Sequence, residues 1–200
     1  MLTLLLSSAT LVTLAGETVV FEDRFDSNLA AGWRWLREDG PDWRVREGAL
    51  EICVRPGDAN TVCNALVRPA PDRRQGRFAI EVTVTNHQPP KQQYEQAGLT
   101  WYTSGKPVFK LVKELVDGQL MIIPGRKPMT NDTVQLRLVV SGNSWSAQFR
   151  PDGKGEFRAA ATGELRSPAD DEISIQCYHG PSDAKHWIRF DDFRIVKLGD

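Results

Sequence analysis

Glu81, Thr83 and Thr85 alternate with Phe78, Ile80, Val82 and Val84. The same alternation sets Thr100 and Tyr102 against Leu99 and Trp101. It sets Lys110 and Glu114 on one strand, and Ser174, Gln176 and Tyr178 against Ile173, Ile175 and Cys177. Successive side chains of a strand point to opposite faces, so each polar set marks a face turned away from an apolar core. If these four strands are neighbours in one concave sheet, carboxylates, an amide, hydroxyls and phenol rings converge on one groove. A sugar needs that mixture: polar groups pair with its hydroxyls, and rings cover its C–H surfaces. The expected contacts are Glu81, Tyr102, Lys110, Glu114, Gln176 and Tyr178. The same pattern also fits a solvated sheet face with cross-strand Lys–Glu pairs.

Carboxylate chemistry has one candidate pair, Glu81 with Glu114. A retaining glycosidase would hold two such groups about 5–5.5 Å apart. The other clusters read differently. Glu22-Asp23-x-x-Asp26 and Asp170-Asp171-Glu172 fall in loops, and Asp191-Asp192 are adjacent in a strand and so face opposite ways. His87, His179 and His186 fall in or beside loops, without zinc-protease spacing. No Cys-x-x-Cys, phosphate loop or nucleophile elbow occurs, and no metal or cofactor is expected. Cys53 and Cys63 flank a turn-forming Pro56-Gly57-Asp58-Ala59-Asn60 segment. On adjacent antiparallel strands they would form a disulfide worth about 2–3 kcal/mol under oxidising conditions. Cys177, on the apolar face with the isoleucines, reads as an inert buried thiol. Trp43, Trp101 and Trp145 read as core, while Trp33, Trp35 and Trp187 lie nearer loops, where a ring could serve as a platform.

The elements that would position these residues are short strands. Gln96–Tyr102 and Val108–Leu115 flank a Thr103-Ser104-Gly105-Lys106-Pro107 turn and read as a hairpin. Trp43–Arg46 and Ala49–Val54 form another around Glu47-Gly48. Further strands are expected at 18–21, 65–68, 77–85, 119–123, 134–140, 145–149, 157–162, 173–178 and 187–196. Strands at this spacing, with no amphipathic helix of convincing length, predict an all-β fold: a two-sheet antiparallel β-sandwich.

The chain has 200 residues and a net charge of −1 with both signs interspersed. It suits one domain, residues 16–200, and offers no basic stripe for nucleic acid. Residues 1–15 (MLTLLLSSATLVTLA) carry no charge and end in Thr13-Leu14-Ala15, the small-residue spacing of a cleavable signal. They are shorter than the about 20 apolar residues of a membrane span. The expected location is secreted or periplasmic, without membrane insertion.

The order of several motifs carries a family resemblance. Trp43-x-Val45-x-x-Gly48-x-Leu50-x-Ile52 is followed by Phe78-Ala79-Ile80-Glu81-Val82, then Glu95-Gln96-Ala97-Gly98-Leu99, Val116-Asp117-Gly118 and Phe190-Asp191-Asp192-Phe193-Arg194-Ile195. From Phe21 to Leu198 the chain resembles the concanavalin A-like lectin/glucanase superfamily. Within it, the chain is similar to the domain of unknown function related to the C-terminal module of β-xylosidases and to the yeast regulator-of-enolase protein. The resemblance implies a jelly roll with one concave sheet, and a role in carbohydrate binding or as an accessory to sugar-active enzymes. The Glu-x-Asp-x-(x)-Glu motif of the superfamily's glucanases is absent. Three readings follow: a carbohydrate-binding or accessory domain without catalysis, a glycoside hydrolase using paired carboxylates, or an extracytoplasmic protein-interaction domain.

Overall fold

The computed structural model describes residues 16–199, so the expected signal segment lies outside the described residues. Strands are numbered in chain order. One sheet holds β1 (Thr18–Asp23), β3 (Trp43–Val45), β4 (Leu50–Val54), β6 (Arg77–Asn86), β11 (Thr133–Ser141), β12 (Ser144–Pro151), β13 (Arg158–Glu164) and β15 (His186–Leu198). The other holds β2 (Arg34–Leu36), β5 (Ala65–Pro69), β7 (Gln96–Thr103), β8 (Lys106–Val116), β9 (Gln119–Ile123), β10 (Lys127–Pro128) and β14 (Asp171–Tyr178). Their orders are β13-β12-β11-β6-β15-β4-β3, with β1 also on β15, and β10-β9-β8-β7-β14-β5-β2. All pairings are antiparallel. The fold is the predicted all-β, two-sheet sandwich.

Alternation builds the core. Leu50, Ile52, Ile80, Val82, Leu136, Leu138 and Phe190 project from the first sheet. Leu66, Leu99, Trp101, Leu111, Ile173, Ile175 and Cys177 meet them from the second. Full burial of each such aliphatic side chain contributes about 1.5–3 kcal/mol, which fixes which face of every strand turns inward. Tight turns set the hairpins. Glu47 and Gly48 both take positive φ, 52° and 67°, and Arg46 and Ala49 exchange backbone bonds of 2.9 and 3.1 Å across them. A left-handed pair of this kind matches the twist of the strands it joins.

Several expectations fail against this frame. Glu81 lies on β6, in the first sheet, whereas Tyr102, Lys110, Glu114, Gln176 and Tyr178 lie on β7, β8 and β14 of the second. Alternation reports which face of a strand is polar but not which sheet the strand joins. Cys53 and Cys63 are free thiols. Cys53 lies in the first sheet's β4, one residue before its end, while residues 55–64 cross to the other sheet and place Cys63 just before β5, so the two strands do not pair. His186 is not a loop residue: it opens β15, is 4% exposed, and its Nδ1 lies 3.0 Å from Glu95 Oε1. Asp171 and Glu172 begin β14 rather than lying in a loop. Simple alternation at Asp191-Asp192 gives way to a bulge between Asp191 and Arg194, with Asp192 at φ 48°.

Candidate functional site

β8, β7 and β14 are neighbours, and their register decides which polar side chains meet. Gln96 stands opposite both Glu114 and Tyr178, and Thr100 stands opposite both Lys110 and Ser174. Leu99, Leu111 and Ile175 point into the core, so these partners share the outer face. There, Lys110 Nζ donates to Glu114 Oε2 at 2.8 Å and to Gln96 Oε1 at 2.7 Å. Gln176 Oε1 accepts from Tyr102 OH at 2.9 Å and from Ser174 Oγ at 2.8 Å. The structure thus brings together five of the six residues expected at the site.

The segment 55–64 covers part of this face. Val62 packs with Ala65, Val67 and Tyr178, and Leu36 and Ala59 close around them, forming a small second core outside the main one. Local bonds shape the segment. Asp58 Oδ1 accepts the backbone N–H groups of Asn60 and Thr61 at 2.8 and 3.1 Å. Arg37 Nε donates to the Val62 carbonyl at 2.6 Å. Tyr102 OH reaches the Ala59 carbonyl at 3.2 Å, so its proton is shared between that oxygen and Gln176. Tyr102 is 2% exposed and Gln176 fully buried. Both were expected as open-groove contacts; instead they support the covering segment.

Beyond Ala59 the face opens into a groove of about 400 Å³. It runs from Asn60 and Tyr178 across Thr100 and Lys110 to Pro124 and Trp145. Thr100 is 1% exposed, and its Oγ1 has no hydrogen-bond partner in the fold; Gln176 Nε2 also has none. Buried polar atoms are nearly always paired, so the Thr100 hydroxyl leaves a hydrogen-bonding capacity that the fold itself does not fill. Burial raises the acid pKa of Tyr178, and the nearby Glu114 carboxylate adds to the effect. Burial also raises that of Tyr102, partly offset by Arg37 and by the bond to Gln176. Both phenols therefore remain proton donors at neutral pH. The Lys110 ammonium, held between Glu114 and Gln96, presents a largely compensated charge.

Glu81 belongs to a different constellation. Arg194 Nε donates to its Oε2 at 2.7 Å, and Arg137 Nε lies 3.2 Å from Oε1. This cluster sits on the outer face of the first sheet, behind Ile80 and Val82. Glu81 and Glu114 face away from each other across the whole sandwich, so the expected acid–nucleophile pair is not assembled. Among the described residues, no group of three or more His, Cys, Asp or Glu is placed to hold a metal ion.

The tryptophans divide differently from expectation. Trp101 is fully buried, and Trp43 and Trp145 pack against the core. Trp33 and Trp35 do the same rather than forming platforms: Trp33 Nε1 donates to Asp23 at 2.9 Å, and Trp35 packs on Trp43. Trp187 lies under the Arg44 guanidinium. Sequence reasoning missed the covering segment and the role of Trp145 at the groove mouth. Neither carries a periodic signal, since both depend on how the sheet edges meet.

No family model and no curated protein matches the sequence. Solved structures match along most of it. The GH43 protein BlXynB from Bacillus licheniformis superposes with a TM-score of 0.74 at 20% identity, over 88% of this chain and 39% of that one. The xylan β-1,4-xylosidase from Bacillus halodurans C-125 gives 0.71 at 18% identity, over 88% and 39%. A functionally unknown protein from Saccharomyces cerevisiae gives 0.59 at 13% identity, over 85% and 98%. The chain therefore spans about two fifths of the two bacterial proteins. These likenesses establish the fold, a two-sheet β-sandwich, and at such identities they establish nothing further.

Proposed function

We propose that this chain is a secreted carbohydrate-binding or accessory domain without catalysis of its own, and that its ligand lies in the groove over β7 and β8. The observation that carries the reading is the buried, unpartnered Thr100 hydroxyl on the groove floor, beside the Lys110–Glu114–Gln96 cluster. A sugar hydroxyl can both donate and accept, and so can complete such a site. The groove's size falls in the range of small-molecule sites, and its walls mix apolar rings with a few convergent polar groups. The likeness to a xylosidase and to a GH43 protein supports the same ligand class. The Thr13-Leu14-Ala15 pattern supports export. No helix among the described residues is long and apolar enough to cross a membrane.

The test is a glycan array and polysaccharide pull-down with the full chain, Lys110→Ala and Thr100→Val. Binding to at least one glycan, weakened about tenfold or more in each variant while the fold survives, is the expected result. Absence of binding, or binding indifferent to both substitutions, would overturn the assignment.

A further inference from the structure

The outer face of the second sheet is open over β8 and β9 and closed over β14, β5 and β2, with the outward residues of β7 between them (Gln96, Thr100 and Tyr102) at most 4% exposed. Ala65, Val67 and Tyr178 face away from the main core yet are at most 4% exposed, because Ala59 and Val62 of the segment 55–64 pack on them. By contrast, Val108 at the open side is 50% exposed. Ala59 stands at the boundary, lining the groove while its carbonyl lies against Tyr102 OH. A polysaccharide threading across the sheet would meet this wall. A chain that ends there would not.

Charge narrows the ligand further. Among the described residues, Lys110 is the one ionisable lysine, arginine or carboxylate side chain lining the groove, and its ammonium already engages Glu114 and Gln96. A uronate carboxylate entering the groove would lose hydration and meet no uncommitted cation there, because the Lys110 ammonium is already paired with Glu114. A neutral sugar has no such cost.

We infer that the groove takes the terminal residues of a neutral glycan, with the chain end abutting Ala59 and Asn60 and the rest of the chain leaving past Pro124 and Trp145. This rests on the carbohydrate-binding reading above. The buried Thr100 hydroxyl pairs with a hydroxyl of the terminal sugar. An adjacent orphan, Gln176 Nε2, lies under the covering segment and marks how completely that half of the face is withdrawn from the ligand.

The experiment measures binding capacity. The full chain is titrated with soluble neutral polysaccharides (xylan, mannan, arabinan, β-glucan) and with the acidic polymers polygalacturonate and alginate. Each polymer that binds is then partly cut with an endo-acting hydrolase or lyase and titrated again. Sites per gram should rise in proportion to the new chain ends, neutral polymers should bind and acidic ones should not, and Thr100→Val should weaken the interaction at least tenfold. Capacity unchanged by cutting would show recognition of chain interiors and overturn the inference while leaving carbohydrate binding intact. Preference for the acidic polymers, or insensitivity to Thr100→Val, would also overturn it. Absence of binding to every polymer and its fragments would remove the underlying reading, and the inference with it.

Discussion

Lys113 is the least expected residue on the strand that presents the site. Register pairs it with Ala97, so it points inward from β8, the wrong way for a lysine. It is 3% exposed. Its Nζ donates to the carbonyls of Asn131 and Asp132, both at 2.7 Å, and so ties β8 to the segment leading into β11 of the opposite sheet. Burial lowers its pKa to about 8, against an opposing pull from Asp132 and Asp152. Between about 8 and the ordinary 10.5, the unfolded chain holds a proton that the folded chain has released. In that interval stability rises with pH; below about 8 both states are charged and the folded state bears the full cost. At about 1.4 kcal/mol per pH unit, the gap corresponds to about 3 kcal/mol.

The assay is urea denaturation of the parent chain and Lys113→Met at intervals from pH 7 to 10.5. Methionine removes the titration and also the donor to two carbonyls, but that second loss does not vary with pH. Other groups push the opposite way. Burial raises the pKa values of Cys53, Cys177, Tyr102 and Tyr178, so their contributions are present at neutral pH and lost as pH rises above the unfolded-state values. They are common to both proteins and cancel in the difference. Parent stability minus variant stability should climb by about 3 kcal/mol across the interval. A flat difference would refute the reasoning, because it would mean that the two carbonyls hold the ammonium charged at every pH tested.

Thr100→Val should raise thermal stability while weakening ligand binding. An unsatisfied buried hydroxyl costs about 1–3 kcal/mol, and each kcal/mol moves the midpoint of a domain this size by about 2–4 °C; a melting curve that falls by that amount would show an internal partner for Oγ1. Glu81→Ala should leave glycan binding unchanged and cost about 1–3 kcal/mol in urea denaturation, since it strands Arg137 and Arg194 on the far side of the sandwich. Thiol titration of the native chain should label the half-buried Cys63 and spare Cys53 and Cys177, with all three reacting after denaturation. A mass two hydrogens lighter under non-reducing conditions would instead reveal a disulfide.

The strands were legible because burial enforces alternation. Gln119–Ile123 is a strand with the expected bounds, and the Gln96–Tyr102 hairpin differs only at its ends. The face occupied by Tyr102, Lys110, Glu114, Gln176 and Tyr178 was legible for the same reason. Glu81 was misplaced because β6 has as clean a polar face as β7, and which sheet a strand joins is decided by pairings many residues apart. β6 lies between β11 and β15, two strands far later in the chain. Cys63 was misplaced because the Pro56–Asn60 segment looks like a hairpin turn but serves as a crossover between sheets.

That crossover links fold to site. A short turn would have returned the chain to β3 and β4 and left the second sheet's outer face bare from edge to edge. Crossing instead, residues 55–64 bring Ala59 and Val62 onto that face, where apolar contact with Ala65, Val67 and Tyr178 holds them. The cover confines Tyr102, Gln176 and Ser174 in a bonded chain with little freedom to reorganise. Thr100, two positions from Tyr102 on the same strand face, is left at the edge of the cover, buried but unpaired. Its side chain is already held in place by burial, so ordering it adds little to the cost of binding, which is where a small groove gains affinity.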